Sequence, residues 1–196
     1  MMIPVQDTHW VILAGGRGSR MNGEDKGLVE LNGKTLIEHT LEALTKQAKQ
    51  ITIIANRNLQ RYREFAPVVS DDIKGFQGPL AGIQAGLTAS KAGWVGFVPC
   101  DCPFLSHDLV ETFCAHVDKT HVVYFAHDGE KKQPIFSLWN KKALAPLTHY
   151  LQRGERKVGL FYKELPSKQV NFSNSRQSFI NLNSPEDLKQ FTKPKC

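Results

Sequence analysis

The sequence of 196 residues has little of what would cross-link it or anchor it in a membrane. No apolar run approaches the roughly 20 residues that span a bilayer, and the N-terminus lacks the basic and apolar regions of a secretory signal. The seven histidines form no pair at metal-ligand spacing, and the cysteines fit neither a disulfide framework nor a zinc finger. The four cysteines are Cys100, Cys102, Cys114 and Cys196. These absences predict a soluble cytoplasmic protein with reduced thiols.

The composition excludes disorder and argues against a nucleic-acid-binding surface. At 41% hydrophobic and 22% charged residues the chain is ordinary globular material, without a repeat or an evident linker. We therefore expect a single domain over residues 1–196. The net charge of +6 suits a polyanionic ligand, but the basic residues are scattered and are not interleaved with aromatic ones.

An apolar run that ends in glycines and basic residues stands out near the N-terminus. Residues 11–13, Val-Ile-Leu, predict a buried strand that stops at Ala-Gly-Gly, residues 14–16. Because glycine lacks a Cβ, such a loop can bring backbone N–H groups up to a phosphate chain. Arg17, Arg20 and Lys26 add positive charge nearby. We predict that this loop belongs to the active site.

Two familiar phosphate-binding loops do not fit this segment. Residues 33–35 read Gly-Lys-Thr, but Leu28 stands where the P-loop requires its first glycine. The dinucleotide fingerprint fails as well, because Met21 occupies the position of its last glycine.

Apolar runs alternate with amphipathic stretches along most of the chain, which predicts a three-layer α/β sandwich with a mostly parallel, Rossmann-like sheet. A capping box is expected at Thr35 and Glu38, and a turn at Asn32-Gly33. Strands are predicted at 28–31, 51–55, 67–70, 94–100, 121–126, 134–139, 168–172 and 179–182. The strands at 121–126 and 134–139 are expected to form a hairpin around Asp128-Gly129. Helices are predicted at 35–49, 58–65, 79–90, 106–118, 141–152 and 155–163, and from Pro185 with Ser184 as N-cap.

Polar residues follow several of these strands, where an open parallel sheet binds its ligands. Asn56 follows the second long strand and suits either ligand contact or a turn. Asp101, held between Pro99 and Pro103, suits a Mg²⁺ that also binds phosphate oxygens, or alternatively caps a helix. Ser106 is the better candidate for that cap.

Three further segments are candidate binding sites. Gly78 and Gly82 flank a proline-initiated helix turn and would let a base or ribose approach the backbone, or form only a loop. Arg156 and Lys157 open a helix, which suits a phosphate but also a solvated charge run. Asn181 and Asn183, around Leu182, are expected to share one strand face.

The glycine loop, with Arg20-Met21 and the Asp-Lys-Gly of residues 25–27, resembles the nucleotide-binding loop of sugar-phosphate and cofactor nucleotidyltransferases. In detail the chain is most similar to the molybdenum cofactor guanylyltransferase family, with matched segments in order from Leu13 to Leu188. The departures are Asp72 beside Asp71 and Cys102 after Asp101. The nucleotide-binding residues that the resemblance implies are Leu13, Ala14, Gly15, Gly16, Lys26, Asn56, Asp71, Gly78, Gly82 and Asp101.

The resemblance implies a nucleotidyltransferase-type fold and transfer of GMP from GTP to molybdopterin that carries molybdenum. Mg²⁺ would bind Asp101, and Lys26, Arg20 and Asp101 would be the catalytic residues. The N-terminal part would bind GTP and the C-terminal part molybdopterin, through Arg156, Lys157, Asn181 and Asn183. Proteins that insert molybdenum or mature molybdoenzymes are the implied protein partners, with no nucleic acid or membrane involved.

Three other functions stay open at this point. A sister family transfers CMP to the same cofactor, but tends to carry Leu-Ala-Ala-Gly where this chain has Leu-Ala-Gly-Gly at 13–16. A sugar-phosphate nucleotidyltransferase would use a hexose 1-phosphate and no pterin. A nucleotide-binding or cofactor-delivery protein would catalyse neither reaction.

Overall fold

The computed structural model describes residues 2–15, 25–71 and 78–192. The strands in these segments are β1 (Thr8–Leu13), β2 (Glu30–Leu31), β3 (Lys34–Thr35), β4 (Ile51–Ile54), β5 (Val68–Val69), β6 (Trp94–Pro99), β7 (Val123–His127), β8 (Lys132–Asn140) and β9 (Ser167–Asn171). The α-helices are α1 (Leu36–Thr45), α2 (Leu59–Arg63), α3 (Pro79–Ala89), α4 (Leu109–Ala115), α5 (Leu144–Gln152), α6 (Val158–Glu164) and α7 (Pro185–Phe191).

Seven strands form one central sheet in the order β5-β4-β1-β6-β8-β7-β9. Strands β5, β4, β1 and β6 are mutually parallel, and β9 is parallel to β7. Strand β8 runs antiparallel to both of its neighbours because it returns from β7 through the predicted hairpin. The prediction of a mostly parallel sheet is confirmed.

Helices cover both faces of this sheet, as the three-layer prediction requires. Ile12 and Val98 point into a core with α1, α2 and α4, whereas Val11 and Phe97 point into a second core with α3, α5 and α6. All four side chains are fully buried, which contributes about 1.5–3 kcal/mol each. None of the described helices has the length and apolar character needed to cross a bilayer.

The β2–β3 hairpin and the start of α1 form as predicted. Asn32 and Gly33 both have positive φ, which suits this two-residue turn. The Thr35 backbone N–H donates to the Glu38 carboxylate at 2.7 Å, and the Glu38 N–H donates back to the Thr35 hydroxyl. The helix ends at Thr45, four residues before the predicted end.

Two predictions about local structure are wrong. Helix α4 begins at Leu109, and the Ser106 hydroxyl donates to the Asp108 carboxylate instead of capping a helix. Residues 179–182 are not a strand of the described sheet, since a 3₁₀-helix over Ser173–Phe179 precedes an extended segment. In that segment the Leu182 N–H donates to the Asp101 carbonyl at 3.0 Å.

A third, small core joins the C-terminal helix to the N-terminal hairpin. Leu31, Leu36 and Leu182 are buried together, and the side chains of Leu188 and Phe191 on α7 pack against them. The chain after β9 therefore returns to the carboxyl end of β1 and β6.

Candidate active site

The candidate site lies where the carboxyl ends of β1, β4 and β6 meet. The Ala14 N–H donates to the Ile54 carbonyl at 2.8 Å, and the Cys100 N–H donates to the Leu13 carbonyl at 3.1 Å. These bonds align the first residues of the glycine loop, the Asn56 turn and the Asp101 turn along one edge of the sheet. Gly16 and Arg20 lie outside the described residues, and so does Asp72.

A lysine, a carboxylate and an amide from three separate segments come together at this edge. The Lys26 Nζ lies 3.3 Å from Asp101 Oδ2 and donates to the Asn183 Oδ1. The side chains of Lys26 and Asp101 are only 21% and 10% exposed, so this ion pair is largely withdrawn from water. The structure thus brings together Lys26, Asp101 and Asn183 as one cluster.

The start of α7 fixes Asn183 in this cluster. The Asp187 carboxylate accepts the backbone N–H groups of Asn183 and Ser184 at 2.8 and 2.9 Å. The Ser184 hydroxyl in turn accepts the Asp187 N–H, which completes a capping box. These hydrogen bonds stabilise the charged carboxylate and so lower the pKa of Asp187, with the largest contribution from the Asn183 N–H. The predicted cap at Ser184 is confirmed.

Asn56 and Asp71, which follow β4 and β5, form a reciprocal pair. The Asn56 Nδ2 donates to Asp71 Oδ2 at 2.9 Å, and the Asp71 N–H donates to Asn56 Oδ1 at 3.1 Å. A Cβ at Gly15 would lie 3.6 Å from Asn56 Nδ2. The pair therefore lies directly beside the described part of the glycine loop.

Asp25 and Tyr62, both buried, form a hydrogen-bonded group with exposed Asn58 beside Lys26 that sequence reasoning missed. The Tyr62 hydroxyl donates to Asp25 Oδ1 at 2.5 Å, and the Asn58 Nδ2 donates to Asp25 Oδ2 at 3.0 Å. Tyr62 is fully buried, and this burial raises the pKa of its hydroxyl. In the sequence, Tyr62 looks like any core residue of a short helix; the position of Asp25 next to Lys26 is the available signal.

The two glycines of the second motif have different roles. Gly78 has φ +77° and open space around it, so it can form the turn into α3. Gly82 is buried, and a Cβ there would lie 2.9 Å from the Leu13 side chain. Gly82 thus lets α3 pack closely on β1, and its predicted contact with nucleotide remains a prediction.

Of the four predicted molybdopterin-binding residues, only Asn183 belongs to the described cluster around Lys26. Asn181 is exposed, and the two asparagines do not share a strand face, because residues 180–184 are not in a strand. The Arg156 guanidinium donates to the Leu151 carbonyl at 2.8 Å, near the end of α5. Lys157 precedes α6, and its carbonyl accepts the Tyr150 hydroxyl.

The two cysteines at the end of β6 are buried thiols. Burial raises the pKa of both Cys100 and Cys102, whose Sγ lies 3.8 Å from Asp101 Oδ1. Protonated thiols are poor nucleophiles and poor metal ligands. Across the described part of the chain, no group of three or more His, Cys, Asp or Glu residues could hold a metal by itself.

Comparison with known proteins finds similarity over nearly the whole chain. Residues 10–167 match the MobA-like NTP transferase domain family. A molybdenum cofactor guanylyltransferase from Vibrio atlanticus (strain LGP32) is 54% identical, over 97% of this chain and 98% of its own length. One from Aliivibrio fischeri (strain MJ11) is 45% identical over the same shares. The crystal structure of molybdopterin-guanine dinucleotide biosynthesis protein A from Archaeoglobus fulgidus superposes with a TM-score of 0.77 at 25% identity, covering 93% and 95% of the two chains.

Proposed function

Since the chain belongs to the MobA-like NTP transferase family, and within it to the molybdenum cofactor guanylyltransferases, we propose a specific reaction for it. The protein transfers GMP from GTP to molybdopterin that carries molybdenum. The observation that carries this proposal is the cluster of Lys26, Asp101 and Asn183 at the carboxyl end of the parallel strands. A cation, a carboxylate and an amide lie together at this edge, and we expect the two substrates to meet there.

The reaction needs no covalent nucleophile from the protein. An oxygen of the molybdopterin phosphate attacks the α-phosphorus of GTP, the bond from that phosphorus to the β-bridging oxygen breaks, and pyrophosphate leaves with the electron pair. The attacking phosphate is already an anion, so no base must remove a proton. Catalysis therefore comes from positioning and from neutralising the charge on the phosphoryl oxygens. We assign that neutralisation to the Lys26 ammonium, with Arg20 as a second cation.

The nucleotide would bind along the edge formed by the ends of β1, β4 and β5. The backbone of Leu13, Ala14, Gly15 and Gly16 would lie against the phosphates. Guanine has adjacent N1–H and exocyclic N–H groups that can both donate hydrogen bonds to one aspartate carboxylate, whereas cytosine has no such pair of donors. Asp71, held in place by Asn56, suits this recognition. Gly78 would let the base approach the turn into α3, beside Gly82.

Asp101 fits the Mg²⁺ that such a reaction uses. Mg²⁺ in proteins binds one or two carboxylates and completes its shell with water and substrate phosphate oxygens, so one carboxylate at the strand end is sufficient. Asp101 is 7% exposed and follows the end of β6, where substrate oxygens and water would complete the shell. When bound there, Mg²⁺ would neutralise phosphate charge.

Molybdopterin would approach from the side of Asn183. The Asn183 amide is fixed by the cap of α7 and already touches Lys26, so it can orient the attacking phosphate toward the nucleotide. Asn181, Arg156 and Lys157 are proposed contacts on the same substrate. The cytoplasm is the proposed compartment, because the three described cysteines are buried free thiols and GTP is the substrate.

Release of pyrophosphate tests the assignment directly. The enzyme would be incubated with molybdenum-loaded molybdopterin and Mg²⁺, with either GTP or CTP, and with glucose 1-phosphate replacing the pterin as a control. We expect release with GTP and the pterin, and little with CTP or the sugar phosphate. A preference for CTP would contradict the guanylyl assignment, and full activity of Asp101→Ala would contradict the metal role of Asp101.

A further inference from the structure

We infer that Asp25, Asn58 and Tyr62 position the catalytic lysine, and that the buried Tyr62 hydroxyl makes the central contact of this group. The inference rests on the proposed function for its kinetic part, because it assumes that Lys26 acts on the phosphates. The structural part, that this group fixes the Lys26 side chain, stands by itself.

The first step is that the Tyr62 hydroxyl touches the residues on both sides of Lys26. It donates to the Asp25 carboxylate at 2.5 Å. On the other side, Gly27 packs so closely on the Tyr62 hydroxyl that a Cβ at residue 27 would overlap it. Because the Tyr62 hydroxyl contacts both Asp25 and Gly27, the backbone of Lys26 between them has little freedom to shift.

The second step is that the rest of the segment reinforces this placement. The Leu28 N–H donates to the Asp25 carbonyl at 2.9 Å, which forms a 3₁₀ turn over Lys26–Leu28. Asn58 precedes α2 with a left-handed φ of +50°, and its side chain does not cap that helix. Its amide instead donates to Asp25, so the second carboxylate oxygen is satisfied as well.

The third step is that Asp25 is bound by its own partners, whereas the Lys26 side chain binds elsewhere. Asp25 is 9% exposed, and a carboxylate buried to this extent is costly unless it is hydrogen-bonded; here both of its oxygens accept a hydrogen bond, from the Tyr62 hydroxyl and the Asn58 amide. The Lys26 side chain meanwhile reaches away to Asp101 and Asn183. Asp25 thus anchors the backbone of a residue whose ammonium works elsewhere. Asp25, Asn58 and Tyr62 are therefore positioning residues, because Lys26 is the residue that would contact the phosphates.

The kinetic test uses Tyr62→Phe, which removes only the hydroxyl and keeps the ring in the core. Small displacements of a catalytic group cost up to about 100-fold in rate, so we expect kcat to fall about tenfold while the KM for GTP changes less than about threefold. The Lys26→Met variant makes the test specific. In that background Tyr62→Phe should lower kcat no further, because the group that it positions is gone.

The control is Tyr124→Phe, which removes the hydroxyl of another fully buried tyrosine, one bonded to the Asp118 backbone N–H at 2.7 Å. It should lose similar stability without the change in kcat. Equal losses of kcat in Tyr62→Phe and Tyr124→Phe, or additive losses in the double variant with Lys26→Met, would overturn the inference.

A second readout does not depend on the reaction catalysed. Limited acetylation followed by mass spectrometry measures how fast each lysine reacts. We expect Tyr62→Phe and Asp25→Ala to raise the acetylation rate of Lys26 about threefold or more relative to exposed Lys46, because its side chain leaves the Asp101 and Asn183 contacts more often. Tyr124→Phe should leave that ratio unchanged. An unchanged ratio in Tyr62→Phe would overturn the inference, whereas failure of guanylyl transfer with an increased ratio would overturn only the proposed function.

Discussion

At the scale of single residues, the site depends on one side chain held from three directions. Lys26 receives its backbone placement from Asp25 and its side-chain contacts from Asp101 and Asn183. An ammonium group that is largely withdrawn from water interacts more strongly with a phosphate than one on the surface. Lys26 is therefore where a single substitution should have its largest effect on the reaction.

Replacing Lys26 with methionine keeps the length of the side chain and removes its charge. We expect kcat for pyrophosphate release to fall about 100-fold, since losing one electrostatic contact to a transition state typically costs 10²–10³ in rate. The matched control is Lys34→Met, which removes a lysine from an exposed ion pair with Glu42 and should leave kcat unchanged. Comparable losses in both variants would contradict the role of Lys26.

Sequence reasoning identified the charged residues of the site that follow strand ends. It missed the residues that fix these charged side chains in position. Lys26 and Asp101 were predicted because they follow a glycine loop and an apolar strand. Tyr62 was not, because a tyrosine inside a short amphipathic helix gives no sign of which way its hydroxyl points. Asn183 was predicted, but for a shared strand face with Asn181 that the structure does not contain. What orients it is the cap of α7.

At the scale of elements, short helices and tight strand contacts determine whether the site is aligned. Helix α7 has only seven residues, and it depends on its capping box and on the small core around Leu31 and Leu182. Its first turn also orients Asn183. Weakening the cap of α7 should therefore affect both stability and turnover.

The substitution Ser184→Ala removes the hydroxyl of this cap. We expect a loss of about 1 kcal/mol in the free energy of unfolding, together with a lower kcat, because Asp187 is then less firmly held against the Asn183 N–H. The corresponding variant at α1, Thr35→Ala, should lose a similar amount of stability and keep its kcat. Urea titration and pyrophosphate release measure the two effects, and an equal fall of kcat in both variants would contradict the link to Asn183.

The pairing of β1 with β6 depends on a glycine beneath an aromatic ring. Gly96 lies opposite Trp10 in the register, and a Cβ at residue 96 would overlap the Trp10 ring. Because that ring is rigid and fully buried, we expect Gly96→Ala to lower the free energy of unfolding by about 1–3 kcal/mol. Gly93→Ala is the control, since a Cβ there meets no atom within 4 Å. Equal stability of the two variants, measured by denaturant unfolding, would refute this account.

The arrangement of elements was largely predictable because each buried strand is an apolar run between helices of clear period. The hairpin of β7 and β8 was also predicted, and it explains the one antiparallel strand of the main sheet. The segment 179–182 has the composition of a strand, but it forms a main-chain bond to the Asp101 turn instead. That contact is long-range, so local pattern could not reveal it.

At the scale of the whole molecule, a half-buried histidine links strand β1 to the neighbouring strand β4 and to the end of α3. His9 on β1 makes hydrogen bonds to Thr52 on β4 at 2.8 Å and to Ser90, after α3, at 2.9 Å. Burial lowers the pKa of His9 below its ordinary value of 6.5. The native state therefore binds this proton less readily than the unfolded state does.

This difference in pKa has a defined sign for stability. As the pH falls below about 6.5, the unfolded chain takes up a proton at His9 before the native chain does, so the free energy of unfolding should decrease. Above that pH both states are neutral there and the effect is absent. We expect His9→Gln to flatten the decrease between about pH 7 and 5, measured by urea unfolding, and exposed His149→Gln to leave it unchanged. An unaltered slope in His9→Gln would show that another group is responsible.

The contact between Leu182 and the Asp101 carbonyl also has a consequence for protein synthesis. A protein emerges from the ribosome with its N-terminus first, so β1, the glycine loop and the Asp101 turn emerge well before residue 183. Until residues 182–191 follow and pack on the β2–β3 hairpin, Lys26 lacks its amide partner. A nascent chain can thus complete the nucleotide side of the site first and acquire the Asn183 contact only once residue 183 has emerged.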